Sequence, residues 1–296
     1  MHAHHHHDAT DAAGRALGIG IVLNLAFVIV EAVAGVLGHS MALLADAAHN
    51  LGDVLGLLLA WGANRLTRRV ASRQFSYGLG SSTLLAALIN GVTLALVSLW
   101  ILWEAGMRLA DPPAVHGALV IGVALAGVVV NTATAWLLLS GQKHDLNLRG
   151  AFLHMAADAA VSVAVAASGL IVLLTGFALV DPLLSILVSL VILVPAIGLV
   201  RRSLQLVMHG VPEEVDLDQV GRHLAALPGV TDYHHLHVWA LSTRQTALSV
   251  HLVMPEPPVE GDTFLRELQD DLRERFGIDH ATVQIERGEF PCPIDG

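Results

Sequence analysis

The chain has 296 residues, 54% of them hydrophobic and 14% charged, and a formal net charge of −10. A soluble domain carries about 25% charged residues, so a wholly soluble protein is excluded, and the acidic balance excludes the basic stripe that nucleic-acid binding needs. The single cysteine, Cys292, rules out an intrachain disulfide framework.

The chain opens on a histidine-rich stretch, His2 and His4 to His7. It lacks the basic n-region of a signal peptide and reads as a native cytosolic tail over residues 1–14 that binds metal weakly. Six apolar segments follow near 15–37, 40–62, 82–107, 116–140, 149–175 and 182–203. Covering about 30 Å of hydrocarbon takes about 20 residues, so each is long enough to span a lipid bilayer. Gly38-His39-Ser40 is a very short turnaround and predicts a tight hairpin of the first two helices. Asp111-Pro112-Pro113 separates helices three and four. Asp181-Pro182 opens helix six, where proline's missing N–H does no harm.

Arg65, Arg68, Arg69 and Arg73 follow helix two, Lys143 and Arg149 lie between helices four and five, and Arg201 and Arg202 end helix six. The opposite loops hold almost no basic residues, Arg108 excepted. The positive-inside rule then places both termini in the cytoplasm. The arginine cluster at 65–73 reads as a topology signal or a contact with anionic lipid.

From His209 onward the composition becomes that of a soluble domain. A helix is expected over 213–227, with Leu217, Val220, Leu224 and Leu227 on one face. Strands are expected over 234–241 and 246–254 with a turn at Ser242 to Gln245, then a helix over 263–276 and a strand over 281–286. The order αββαβ predicts a small two-layer, ferredoxin-like α+β domain over 209–288, with a tail at 289–296.

Within the apolar segments stand two matched pairs, His49 with Asp53 and His154 with Asp158. Residues four apart share a helix face. An ionisable group at mid-membrane costs about 2.5–3.5 kcal/mol, so two matched pairs point to function over structural hydrogen bonding. Two imidazoles and two carboxylates suit a tetrahedral zinc ion. With both termini on one side, helix two runs inward and helix five outward, so the pairs are antiparallel and predicted to cross. Binding needs neutral histidine and ionised aspartate and therefore expels protons. Once metal leaves, the histidines take up protons, which couples metal movement to a pH gradient.

Asp46 shares the face of His49 and Asp53. It reads as a solvated carboxylate lining the vestibule, or else as part of the ion path. Glu31, two turns from Asn24 on helix one, is a second ion-path candidate, since a buried carboxylate in a membrane usually has a purpose. Asn50, Asn90 and Asn131 read as interhelical hydrogen-bond partners.

The stretch Ser40 to Asp53, Tyr77-Gly78, Ala151 to Asp158, Asp181-Pro182 and His234-His235-Leu236-His237-Val238-Trp239 together resemble the cation diffusion facilitator family of divalent-metal transporters, over about residues 15–288. The chain looks most like the bacterial branch that exports zinc, cobalt and cadmium, which is similar to the eukaryotic zinc exporters. The resemblance implies a homodimer, exchange of metal for protons by alternating access, and His49, Asp53, His154 and Asp158 as transport-site ligands. It also matches His234, His251 and Glu286 to the family's cytosolic metal ligands. Strand alternation by itself leaves either His234 or the pair His235 and His237 to join His251, with Cys292 available to complete such a site. Many relatives place a basic residue just beyond Tyr-Gly; here Gly80 is followed by Ser81-Ser82-Thr83, which puts a charge lock at that point in doubt.

The expected function is a proton-coupled antiporter exporting zinc across a bacterial inner membrane. The alternatives are a cobalt- or cadmium-preferring exporter on the same scaffold and a zinc-sensing membrane scaffold without flux. An intramembrane protease would carry His-Glu-x-x-His, and none is present; no enzyme is expected.

Overall fold

The computed structural model describes residues 24–138 and 146–288. The histidine-rich tail, Lys143, His144 and Cys292 lie outside the described residues. The apolar helix α1 (Asn24–Leu37) is followed by α2 (Met41–Thr67), α3 (Ser82–Arg108), α4 (Gly117–Leu138), α5 (Leu146–Thr175) and α6 (Val180–Val207). Among the described residues, five helices, α2 to α6, are long and apolar enough to cross a membrane. Without water to satisfy the backbone, a spanning segment must bond to itself, and helices do so throughout their length. The α1–α2 turnaround closes on a bond from Gly38 N to Ala34 O (2.7 Å) and another from Ser40 N to Gly35 O (3.0 Å). His39 adopts φ +53° to make it.

The described chain divides into two compact units. The first comprises the residues up to Leu58 together with Asn90–Gly198, and the second Leu59–Ile89 together with the residues from Leu199 onward. In the first unit, Ala34, Ala42, Leu43, Val120, Ala124, Val165 and Ala166 form one core where α1, α2, α4 and α5 meet. Met41, Ala45, Ile101, Val188 and Ile192 form another between α2, α3 and α6. Small residues let backbones approach, as at membrane helix interfaces generally. A Cβ on Gly169 would stand 3.1 Å from both Val120 and Ile121, so α4 and α5 pack almost backbone to backbone. A Cβ on Gly52 would collide with Leu94 of α3.

The start of α2 is held from outside its own chain segment. Asp181, buried in the first turn of α6, accepts bonds from Met41 N (2.7 Å) and from the Ser40 hydroxyl. Ser40 Oγ in turn accepts from Leu43 N (3.1 Å), so two side chains serve the orphan N–H groups of one helix end.

The second unit holds α7 (Leu217–Ala225), β1 (Asp232–Ala240), β2 (Thr246–Val253), α8 (Gly261–Phe276) and β3 (His280–Glu286). The order is the expected αββαβ. The first helix is shorter than the 213–227 expected, because Asp216, in extended conformation, caps it by accepting from Gln219 N (3.0 Å). The sheet order is β1-β2-β3, with β1–β2 antiparallel and β2–β3 parallel. Val220 and Leu224 of α7, Leu268 and Leu272 of α8, and Leu248, Val250 and Leu252 of β2 form one buried core. The alternate positions of β2, among them Ser249 and His251, leave that core and lie only half-buried.

Ser81 and Thr83, just beyond Tyr77-Gly78, hydrogen-bond the β1–β2 turn. Thr243 N donates to Thr83 Oγ1 (3.0 Å) and Ser81 Oγ donates to Leu241 O (3.4 Å). Nearby, the Tyr77 ring meets His280 edge-on at 6.1 Å.

Candidate metal centre

In the first unit, α2 presents His49 and Asp53 one turn apart, and α5 presents His154 and Asp158 likewise. The pairs cross. His49 Nε2 lies 3.0 Å from Asp158 Oδ1, and His154 Nε2 lies 3.1 Å from Asp53 Oδ2. The partners on the same helix are farther, at 3.9 Å and 3.7 Å. The two imidazoles stand edge to face, 5.7 Å between centres. One ligand atom from each of the four lies within 4.8 Å of the others. Antiparallel helices dictate this arrangement, since a histidine above an aspartate on one helix faces an aspartate above a histidine on the other. Burial is graded across the cluster: the Asp158 side chain is 2% exposed and that of His154 44%. Two nitrogens and two carboxylate oxygens converging on one point make a donor set that fits a borderline divalent ion.

Beside this tetrad lies a buried polar network. Asp46 is fully buried and accepts from Ser162 Oγ (3.0 Å). The expectation of a solvated vestibule residue is therefore corrected: Ser162 lies on α5 one turn beyond Asp158, and its side of α5 covers this part of α2. Glu31 is also fully buried and accepts from Asn50 Nδ2 (2.9 Å). Asn50 is thus an interhelical partner, as expected. Sequence reasoning missed Ser162, although its spacing of four from Asp158 places both on one helix face.

The second unit holds the other cluster. His234 on β1 pairs opposite His251 on β2. His234 Nε2 lies 3.1 Å from Glu286 Oε2, and His251 Nδ1 lies 2.8 Å from Glu286 Oε1. Ligand atoms of these three lie within 4.8 Å of one another. Gln284 Nε2 donates to Glu286 Oε1 (2.7 Å). Partial burial pushes the Glu286 carboxyl up, but the hydrogen bond and charge of His234, with those of His251, outweigh it and hold the group below the ordinary carboxylate range. His234 Nδ1 is buried without a hydrogen-bond partner among the described residues.

Strict alternation would put His234 and His235 on opposite faces. A register shift between His234 and His237, with His235 at φ +51°, breaks that rule. The bulge inserts one extra residue and brings the His235 ring to 5.2 Å from both His234 and His251. His237 stands 6.1 Å from His235 and outside the three-residue group.

The model of the cation efflux transmembrane domain matches residues 17–208, and that of the cation efflux protein cytoplasmic domain matches residues 212–288. The chain belongs to the cation efflux, or cation diffusion facilitator, family. Both clusters of this cation efflux protein fall inside the matched spans, one in each. Among its relatives, the metal cation efflux system protein CzcD of Cupriavidus metallidurans is 37% identical over 292 residues, covering 99% of this chain and 92% of that protein. The zinc transporter ZitB of Escherichia coli is 36% identical over 290 residues, 96% of this chain and 92% of ZitB. The cadmium, cobalt and zinc/H(+)-K(+) antiporter of Bacillus subtilis is 33% identical over 287 residues, 96% and 91% respectively. A solved structure, the metal-bound C-terminal domain of the C. metallidurans CzcD transporter, is 39% identical, covers 24% of this chain and 99% of that chain, and has a TM-score of 0.23.

Proposed function

We propose that this cation efflux protein is an antiporter that exports zinc from the cytoplasm in exchange for protons, with His49, Asp53, His154 and Asp158 as the transport site. The observation that carries the reading is the crossed tetrad, with four donor atoms from two antiparallel helices within 4.8 Å. The relatives support it, being named for zinc or for cadmium, cobalt and zinc with protons. The metal arrives as a dication and meets two carboxylates, so the loaded site is close to neutral. The empty site carries two negative charges that protonation of the histidines offsets. Asp53 and His154 are the more exposed of the four, and along α2 Asp53 is the ligand nearer in sequence to the arginine-rich stretch that follows. With that stretch in the cytoplasm by the positive-inside rule, metal loads from the cytoplasmic side of a bacterial inner membrane, and both termini are cytoplasmic.

In this reading residues 1–14 are a cytosolic tail, 15–208 the transport domain, 209–288 the dimerising metal-binding domain and 289–296 a tail. His234, His251 and Glu286 hold a cytosolic zinc, with His235 beside them, and two copies assemble as a homodimer through this domain. Cys292 is left as an additional ligand candidate. The chain is a transporter and not an enzyme.

The test is metal flux into proteoliposomes across zinc, cobalt, cadmium and manganese, wild type against Asp158→Ala. Zinc flux that responds to an imposed pH gradient and is lost in the variant is expected. Undiminished flux in Asp158→Ala overturns the site. A preference for cobalt or cadmium replaces zinc as the cargo, and zinc binding without any flux makes the chain a sensor.

A further inference from the structure

The chain holds 26 acidic and 16 basic residues, yet no Asp or Glu occurs over residues 54–103, where Arg65, Arg68, Arg69 and Arg73 stand. Among the described residues the arginines in ion pairs are Arg108, Arg202, Arg273 and Arg275, so none of these four has a carboxylate partner there. Arg65 instead lies over the Trp61 ring, 5.1 Å from its centre. From Arg68 to Tyr77 every residue is exposed, the apolar ones included: Val70 is 91% exposed and Phe75 49%.

This exposed stretch has a defined shape. Ser72 N donates to Phe75 O (3.0 Å), Phe75 N donates to Ser72 Oγ (3.1 Å), and Gly78 N, at φ +74°, donates to Phe75 O (3.0 Å). Farther on, Ser81 and Thr83 bond the β1–β2 turn, and a Cβ on Gly80 would stand 2.7 Å from Leu241 O, so the backbone runs close against that turn. All of these residues belong to the second unit. At its other end the stretch leaves α2 at Thr67. That helix is long and apolar enough to cross a membrane, so the stretch begins at the membrane surface. A guanidinium there can give a phosphate two parallel N–H bonds, and tryptophan and tyrosine favour the headgroup level. A loop already held in shape loses little freedom on binding.

We propose that the loop between α2 and α3 is a binding site for the headgroups of anionic phospholipids, with Arg68, Arg69 and Arg73 on the phosphate oxygens and Val70 and Phe75 resting on the acyl chains beneath. Trp61, under the Arg65 guanidinium, stands less than two turns back along α2 and fixes the depth of the helix end. A topology signal acts by charge alone during insertion and calls for neither a shaped turn nor exposed apolar side chains. An acidic protein partner would meet the same arginines, but the end of a membrane helix puts lipid phosphate beside them, and the attraction of a basic stretch to an anionic surface is strongest there. The site stands on the membrane placement of α2 and is independent of which metal is carried and of its exchange for protons.

The test uses the full chain in a neutral detergent, titrated with phosphatidylglycerol or phosphatidylcholine of equal chain length, with bound lipid counted by native mass spectrometry. The wild type is expected to retain phosphatidylglycerol several-fold over phosphatidylcholine, and added salt to weaken that preference by screening exposed charges. Each arginine near an anionic surface contributes about fivefold. Arg73→Gln is therefore expected to lower phosphatidylglycerol affinity about fivefold, and Arg68→Gln, Arg69→Gln and Arg73→Gln together about a hundredfold, with phosphatidylcholine binding unchanged. The same three positions changed to lysine keep the charge that orients the chain but lose the paired bonds, and are expected to fall between wild type and the glutamine variant. No lipid preference in the wild type overturns the proposal and leaves the arginines a role in insertion only. A wild-type preference in the triple glutamine variant overturns it too, as does a loss no greater with glutamine than with lysine. Displacement of phosphatidylglycerol by an equal concentration of inorganic phosphate makes the site one for free anions and also overturns it. Should the triple glutamine variant not fold, Arg73→Gln and the lysine variant decide the matter.

Discussion

At the scale of single residues, the chemistry depends on what lies one turn away. His49 finds its nearest carboxylate on α5 rather than on its own helix, at 3.0 Å against 3.9 Å. Asp216 shows the same economy at the surface, where its carboxylate serves the N-terminus of α7. The backbone N–H of Gln219 is the main cause that holds its carboxyl below the usual range. A depressed carboxylate contributes stability that is present above its unfolded value near 3.9 and lost as pH falls through the folded one. The protection of α7 amides in the detergent-solubilised protein, taken relative to the intrinsic exchange rate at each pH, is therefore expected to stay high at neutral pH and to fall as pH drops below about 4. Asp216→Ala is expected to exchange fast throughout. Equal exchange in the two proteins at pH 7 would refute the capping role.

At the scale of elements, α2 carries half of the tetrad and Asp46, and its start is anchored by α6. Asp181→Ala leaves Met41 N and the Ser40 hydroxyl without their acceptor, at a cost of about 1–3 kcal/mol for buried groups. The expected outcome is a lower unfolding temperature together with weaker zinc binding at the tetrad. Thermal scanning with a zinc titration checks it, and a variant with wild-type values of both would remove Asp181 from any positioning role. The β1 bulge is a second such device. Histidine and asparagine tolerate positive φ far better than β-branched residues. His235→Val is expected to destabilise the β1–β2 pairing by about 1–2 kcal/mol relative to His235→Asn, read as the difference in amide exchange between the two variants. Indistinguishable exchange would mean that the bulge does not depend on residue 235.

At the scale of the whole molecule, two candidate metal-binding clusters lie in two units of one chain. A ligand that binds only the folded protein stabilises it by about 2.7 kcal/mol at a hundred times its dissociation constant. Zinc is thus expected to raise the unfolding temperature in two steps as its concentration increases, and chelation to reverse both. Asp158→Ala should remove one step and Glu286→Ala the other. A single step abolished by either variant alone would show that the clusters do not bind independently.

Much of this protein was legible in the order of its residues, because membrane helices and period-four pairs are local properties. The apolar runs, the αββαβ order, the tetrad and even its crossing follow from hydropathy, spacing and the parity of the crossings, since a lipid interior admits few other arrangements. The burial of Asp46 was not legible, because it depends on Ser162, 116 positions away in sequence. Nor was the position of His235 beside His234 and His251, since alternation along a strand is a rule that a single inserted residue breaks. The hydrogen bond from Asn50 to Glu31 likewise exists only once α1 and α2 are packed together. Sequence determined which groups lie at membrane depth and on which helix face; tertiary structure decided which of them meet, because contacts between helices depend on packing and on the exclusion of water.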